Sequence, residues 1–291
     1  MTSRVRLLLA ASHPGPTVAV TVLATVIAVA VGHAVWSVLL VALAVFAGQL
    51  SIGLANDWID ADRDRAVGRS DKPVARGLVP VATVRRAAIG TTVAAVLLSV
   101  PLGLVAGAAH LVLVAAGWAY DAGLKRRVWS VAPFVVAFGL LPVVAVSADS
   151  GLGPGGMPAV WPAPWAIATG AVFGVAIHCT NVLPDLVDDA ATGVRGFPHR
   201  LGLHASGVLA FAALVVADGL VLVGQTTGDD PARGPALALA VAGAVAVVVL
   251  AAVGIRLVLT GPPTRTLFRL VIIASLVVVV QLALSGARLA A

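Results

Sequence analysis

Apolar residues run along this chain in long blocks, parted by short polar or glycine- and proline-rich breaks. The pattern predicts nine spans, at about 17–32, 36–56, 84–101, 103–120, 130–147, 164–183, 204–224, 235–259 and 267–286. Crossing a bilayer takes about 20 apolar residues in a helix and about ten in a barrel strand. Backbone groups in hydrocarbon must also be paired within the structure, which leaves helices or closed barrels. Blocks of this length are therefore expected to be helices, although valine is abundant in them. Pro101 and Gly103 mark a tight turn between the third and fourth spans, and 149–164 and 226–235 read as loops. Segments rich in small residues, such as 241–254, would let neighbouring helices approach closely.

Composition agrees. Of 291 residues, 60% are hydrophobic and 11% charged, against about 25% charged in soluble domains; mean hydropathy is +1.04. The expected fold is an all-α, polytopic integral membrane bundle of nine transmembrane helices with a cytoplasmic N-terminus. A single membrane domain over 1–291 is expected, and the basic start reads as a retained end.

Charge fixes direction in this reading. With nine spans, 17 of the 19 Lys and Arg residues fall on one side and only Arg233 and Arg288 on the other. That asymmetry follows the positive-inside rule, so the net charge of +6 reflects orientation and contact with lipid headgroups, not nucleic acid. The lone Cys179 excludes an internal disulfide and a thiolate metal cluster.

The densest polar stretch, 56–73, follows the second span. Asn56, Asp60 and Asp64 recur at every fourth residue, and Asp57 lies nearly two turns before Asp64. On one continuous helix, Asp57, Asp60 and Asp64 would share an edge about 10 Å long. Asp62 would point elsewhere, to water or Arg65. Clustered carboxylates repel unless a cation neutralises them, and oxygen ligands favour Mg²⁺ or Ca²⁺. The spacing returns after the sixth span as Asn181, Asp185, Asp189 and Gly193, with Asp188 beside it; the first copy ends on Gly68. The shared pattern is N-x₃-D-x₃-D-x₃-G, displaced by 125 residues, and both copies are followed by basic residues and a proline. Two such clusters facing across a cavity could hold metal ions that grip a diphosphate, with Arg or Lys taking its remaining oxygens. As metal ligands we therefore expect Asp57, Asp60, Asp64, Asp185, Asp188 and Asp189. Asp60, Asp64, Asp185 and Asp189 carry the expected catalytic role.

The stretch Asn56-Asp57-x₂-Asp60-x₃-Asp64-x₄-Arg69-x₂-Lys72-Pro73 resembles the first signature of the UbiA superfamily of intramembrane prenyltransferases. Asp185-x₃-Asp189-x₃-Gly193 resembles the second, and Tyr120-x₃-Leu124-Lys125-Arg126 the segment between them. The resemblance covers most of the chain. It implies a nine-helix bundle with a central cavity open to the bilayer, capped by cytoplasmic loops at about 57–83 and 185–203. It further implies Mg²⁺ as cofactor, and transfer of a prenyl group from prenyl diphosphate to an aromatic or other lipophilic acceptor. Asn56, Arg69, Lys72, Tyr120, Lys125, Arg126, Asn181 and Arg195 are the residues it points to for substrate. The sequence departs from the family where Lys72-Pro73 replaces the usual Arg-Pro, losing a two-pronged donor. It departs again where Asn181 or Val182 stands in place of a further aspartate.

Several of these residues have plainer readings: Lys125, Arg126 and Arg195 as membrane anchors, Tyr120 as an interfacial aromatic. Asp121 could pair with Lys125, His178 could be a packed polar side chain, and Gln49 could line the cavity. The other partners expected are membrane lipids, with no nucleic acid and no obligate protein. A transporter or non-catalytic isoprenoid-lipid binding protein is the main rival, since intramembrane acids often mark ion paths. The even displacement of the two motifs places both on one membrane face and at helix ends, which suits a phosphate site with an apolar chamber behind it.

Overall fold

The computed structural model describes residues 3–148, 160–183, 186, 193–261 and 265–291. Twelve α-helices make up the described fold, and the only strand-like pairing among the described residues is one bridge between Pro162 and Ala290. They are α1 (Ser3–Ala11), α2 (Pro14–Ala30), α3 (Val35–Ile59), α4 (Ala61–Ala66), α5 (Val81–Ser99) and α6 (Leu104–Ala122). Then come α7 (Ala132–Val146), α8 (Pro164–Val182), α9 (Phe197–Leu201), α10 (Leu203–Thr226), α11 (Gly234–Thr260) and α12 (Arg265–Leu284).

Among the described residues, seven helical segments are long and apolar enough to cross a membrane: α3, α5, α6, α7, α8, α10 and α11 with their short extensions. An eighth appears if α1 and α2, bent by 70° at the break between them, are taken as one, and Arg269–Leu284 of α12 is a shorter apolar helix. Leu97, Val249 and Leu276 stand more than half exposed on the outer surface, an arrangement that suits lipid as the solvent.

Sequence explains the joints. Proline opens α2, α7 and α8 within the first two positions, where its missing N–H costs nothing. Gly103, at φ 89°, ends the turn that Pro101 begins. Packing follows a ring in which α2, α3, α6 and α7 share one apolar core around Leu23, Val41, Leu113 and Val144. Helices α8, α10, α11 and α12 share a second around Phe173, Phe211, Val247 and Val278. Contacts of α7 with α8, and of α12 with α2, close the ring. At the α7–α8 seam the Cα of Gly170 lies against the carbonyl of Phe138 and that of Gly174 against the carbonyl of Phe134, the close approach that a small-x₃-small pattern allows. A third, smaller core joins Ala11 of α1, Leu54 of α3, Val74 and Val79 of the following loop, and Val84 of α5. It lies beside the first acid motif.

Candidate active site

Helix α3 ends at Ile59. Asp60 leaves helical geometry (φ −88°, ψ 1°) before α4 begins, so the motif is not on the single uninterrupted helix its spacing suggests. The stagger survives because the Asp60 N–H donates to Asn56 O (2.9 Å) and the Asp64 N–H to Asp60 O (2.8 Å). Asp57, Asp60 and Asp64 are each 1–2% exposed. Asp62 is 98% exposed and pairs with Arg65 at 2.7 Å, as its angular position suggested.

Three buried carboxylates need counter-charge, and two lysines arrive from different loops. Lys72 Nζ lies 3.0 Å from Asp57 Oδ1 and 2.8 Å from Asp64 Oδ2 and donates to Asn56 Oδ1 at 3.1 Å. Lys125 Nζ donates to Asp60 Oδ2 at 2.6 Å. Arg63 stands 3.6–3.7 Å from Asp60 and Asp64. Burial pulls the Lys72 pKa down, but the charges of Asp57 and Asp64 outweigh it and hold the ammonium above its usual 10.5. In the same loop Arg69 forks onto Asp71 through two 2.9 Å hydrogen bonds, which pull the Asp71 carboxyl down to about 2.

The expected Asp121–Lys125 pair is replaced by a longer-range exchange. Asn56 Nδ2 donates to Asp121 Oδ1 at 2.7 Å, while Lys125 crosses to Asp60. The end of α6 is thereby tied to the end of α3. The end of α8 joins them through Ser130, whose hydroxyl lies 3.0 Å from His178 Nε2 and accepts the Phe197 N–H at 2.7 Å. Gly196 fits because a Cβ there would stand 2.5 Å from Lys125 O and 2.6 Å from Ser130 Oγ. The C-terminal ends of α3, α6 and α8 thus meet at one end of the bundle.

Tyr120 makes edge contacts with Phe134 (ring centroids 5.1 Å apart) and His178 (5.7 Å). Tyr120 and Phe134 also line an apolar cleft, together with Gln49, Ile52, Leu113 and Phe138. A narrow apolar crevice shares Phe138 and Leu141 with it and is lined further by residues of α8 and α12. The acid cluster, tied through Asn56 to Asp121, therefore stands beside the apolar cleft that Tyr120 lines.

The structure brings together Asn56, Asp57, Asp60, Asp64, Lys72 and Lys125, with Tyr120 at the neck. It leaves Arg126, Asn181 and Arg195 exposed at the same end and gives Arg69 its contact with Asp71. Asp185, Asp188 and Asp189 lie outside the described residues. Sequence reasoning missed His13, whose Nε2 is 3.1 Å from Asp57 Oδ1; the only hint was the His-Pro step opening the first span.

Among the described residues, no three acidic or histidine side chains converge as a closed metal cage. Mg²⁺ rarely requires one: it usually takes one or two carboxylates and completes its shell with waters and substrate phosphates. Among the described residues, Asp60 Oδ1 and both oxygens of Asp64 are buried with no aligned hydrogen-bond donor, Lys72 standing 2.8 Å from Asp64 Oδ2 as an ion pair. These orphaned oxygens fit that demand.

Known proteins with this architecture are informative. Residues 17–260 match the UbiA prenyltransferase family. A UbiA homolog from Archaeoglobus fulgidus, bound to GPP and Mg²⁺, superposes with a TM-score of 0.69 at 13% identity, over 97% of this chain and 99% of that one. The apo UbiA homolog from Aeropyrum pernix K1 gives 0.67 at 17% identity, over 92% and 96%. A structure described for digeranylgeranylglyceryl phosphate synthase in membranes gives 0.66 at 15%, over 98% and 99%. No curated protein matches the sequence. At such identities the likeness shows shared fold, and the family match, spanning most of the chain, settles the kinship: this protein belongs to the UbiA prenyltransferase family.

Proposed function

We propose that this protein transfers a prenyl group from an allylic prenyl diphosphate to an aromatic or other lipophilic acceptor and releases diphosphate. The observation that carries the reading is the buried Asp57–Asp60–Asp64 cluster, with Lys72 and Lys125, beside the apolar cleft that Tyr120 lines. The structures with GPP, and with DMAPP, and Mg²⁺ bound belong to homologues and support the same chemistry here.

In this reading Asp57, Asp60 and Asp64 would hold Mg²⁺, joined by Asp185, Asp188 and Asp189 from the second motif. Bound Mg²⁺ would supply Lewis-acid neutralisation of the departing diphosphate. Lys72 and Lys125 would donate to phosphate oxygens, with Arg69, Arg126 and Arg195 at the rim and Asn56 and Asn181 as neutral contacts. The cleft behind Tyr120 takes the hydrocarbon tail and keeps water from the allylic carbon. Nine crossings (α2, α3, α5, α6, α7, α8, α10, α11 and α12), an N-terminus and site on the cytoplasmic side, and cap loops at 57–83 and 185–203 complete the proposal. The 17-to-2 division of basic residues supports that orientation.

The test is transfer by the purified protein in lipid, using labelled allylic diphosphates of several lengths against quinone precursors and lipid alcohols. Product should require Mg²⁺, vanish with EDTA, and be lost in Asp60→Asn and Asp185→Asn. Full transfer by both folded variants would refute the assignment.

A further inference from the structure

His13 joins two helices that point in different directions. It is the one non-glycine residue among the described residues with positive φ (53°), a conformation in which only a few per cent of non-glycine residues are found. The turn it forms bends α1 away from α2 by 70°. The turn is also pressed into α3: the carbonyl of Ser12 rests where a side chain on Gly53 would stand. Gly53 lies one helical turn before Asp57, so this notch brings the histidine to the acid cluster. A carboxylate only accepts hydrogen bonds, hence the imidazole Nε2–H donates to Asp57 Oδ1 across 3.1 Å.

Behind the turn, α1 is anchored. Ala11 is fully buried, and Leu7 and Leu8 pack into the small core that includes Val74 and Val79 of the Lys72 loop. One short helix therefore braces both Asp57 and the loop that supplies the neighbouring ammonium.

From this geometry we infer that His13 is a positioning residue of the metal–diphosphate site: the α1–α2 turn orients the Asp57 carboxylate and thereby sets its affinity for the divalent ion. The inference rests on the proposed function. It also lies outside the part of the chain matched to the family, which begins at residue 17. Partners of metal ligands that hold them in place typically account for about 10–100-fold in metal affinity.

The full-length protein in nanodiscs is titrated with Mn²⁺ in the presence of inorganic diphosphate, and bound metal is read by electron paramagnetic resonance. His13→Gln places an amide N–H where Nε2 was, and His13→Asn keeps the turn but falls short of Asp57. We expect His13→Gln to stay within about threefold of wild type and His13→Asn to bind at least about tenfold more weakly. His13→Ala should resemble His13→Asn; if it does not assemble, the Gln and Asn variants make the comparison alone. Equal affinity in His13→Asn and wild type, with Asp60→Asn still abolishing binding, overturns the role of His13 and leaves the site intact. Absence of Mn²⁺ binding in wild type overturns both.

Discussion

Between α10, α11 and α12, Gln225 donates to the Gln281 carbonyl (2.7 Å) and to Ser285 Oγ (2.9 Å), and Gln281 donates to Ala240 O (2.7 Å). Among the described residues, none of these leaves a buried polar side-chain atom unpaired. Between α3, α6 and the Lys72 loop, comparable burial ends differently. Cations flank the carboxylates, yet among the described residues Asp60 Oδ1, both oxygens of Asp64 and Asp121 Oδ2 receive no hydrogen bond. A satisfied neutral network is complete in itself and acts as helix glue. A cation-flanked cluster with spare acceptors can still accept a further cation or donor. The two regions thus separate structure from chemistry within one bundle.

Substitutions can break that separation, and the largest effect is expected at Lys125. Lys125→Met leaves Asp60 buried without its 2.6 Å partner and removes the proposed donor to diphosphate; transfer should fall by about a hundredfold or more, read as kcat in a labelled-substrate assay. Next comes Gly196→Ala, whose new Cβ meets Lys125 O and Ser130 Oγ. Displacing the Lys125 elbow by a fraction of an ångström should cost transfer about tenfold, since an ångström of misplacement can cost a hundredfold. Gln281→Leu probes the other region. It should lower stability by about 1 kcal/mol, seen as an earlier thermal transition in detergent, with kcat unchanged per folded molecule. Smallest of all, Asp62→Ala, which removes only an exposed partner of Arg65, should leave transfer within about twofold of wild type, in line with the small worth of surface pairs. A Gln281→Leu that loses activity as steeply as Lys125→Met would erase the distinction.

What the sequence disclosed followed mostly from periodicity. Apolar blocks gave the helices, and four-residue spacing placed Asp60 and Asp64 together because the α3–α4 break keeps the i→i+4 hydrogen bonds. Resemblance to the family's signatures, not periodicity, marked Lys72 and Lys125. The features it did not disclose are contacts between distant segments. The bond from Asn56 to Asp121 joins positions 65 residues apart, and His13 reaches Asp57 only because a left-handed turn settles onto Gly53. The strut from His178 through Ser130 to Phe197 depends on how three segments dock. No local pattern encodes such meetings, whereas each is evident once the backbone is placed.

Under the proposed function, the seam between α7 and α8 bears on substrate length. Carbonyls seated on the bare Cα atoms of Gly170 and Gly174 leave α7 no slack to slide or part from its neighbour. The rings of Phe134 and Phe138, the residues that own those carbonyls, line the apolar cleft and are therefore fixed like marks on a ruler. Under the proposed function, a longer tail would have to fit past those two rings, since the helices cannot spread here to admit it.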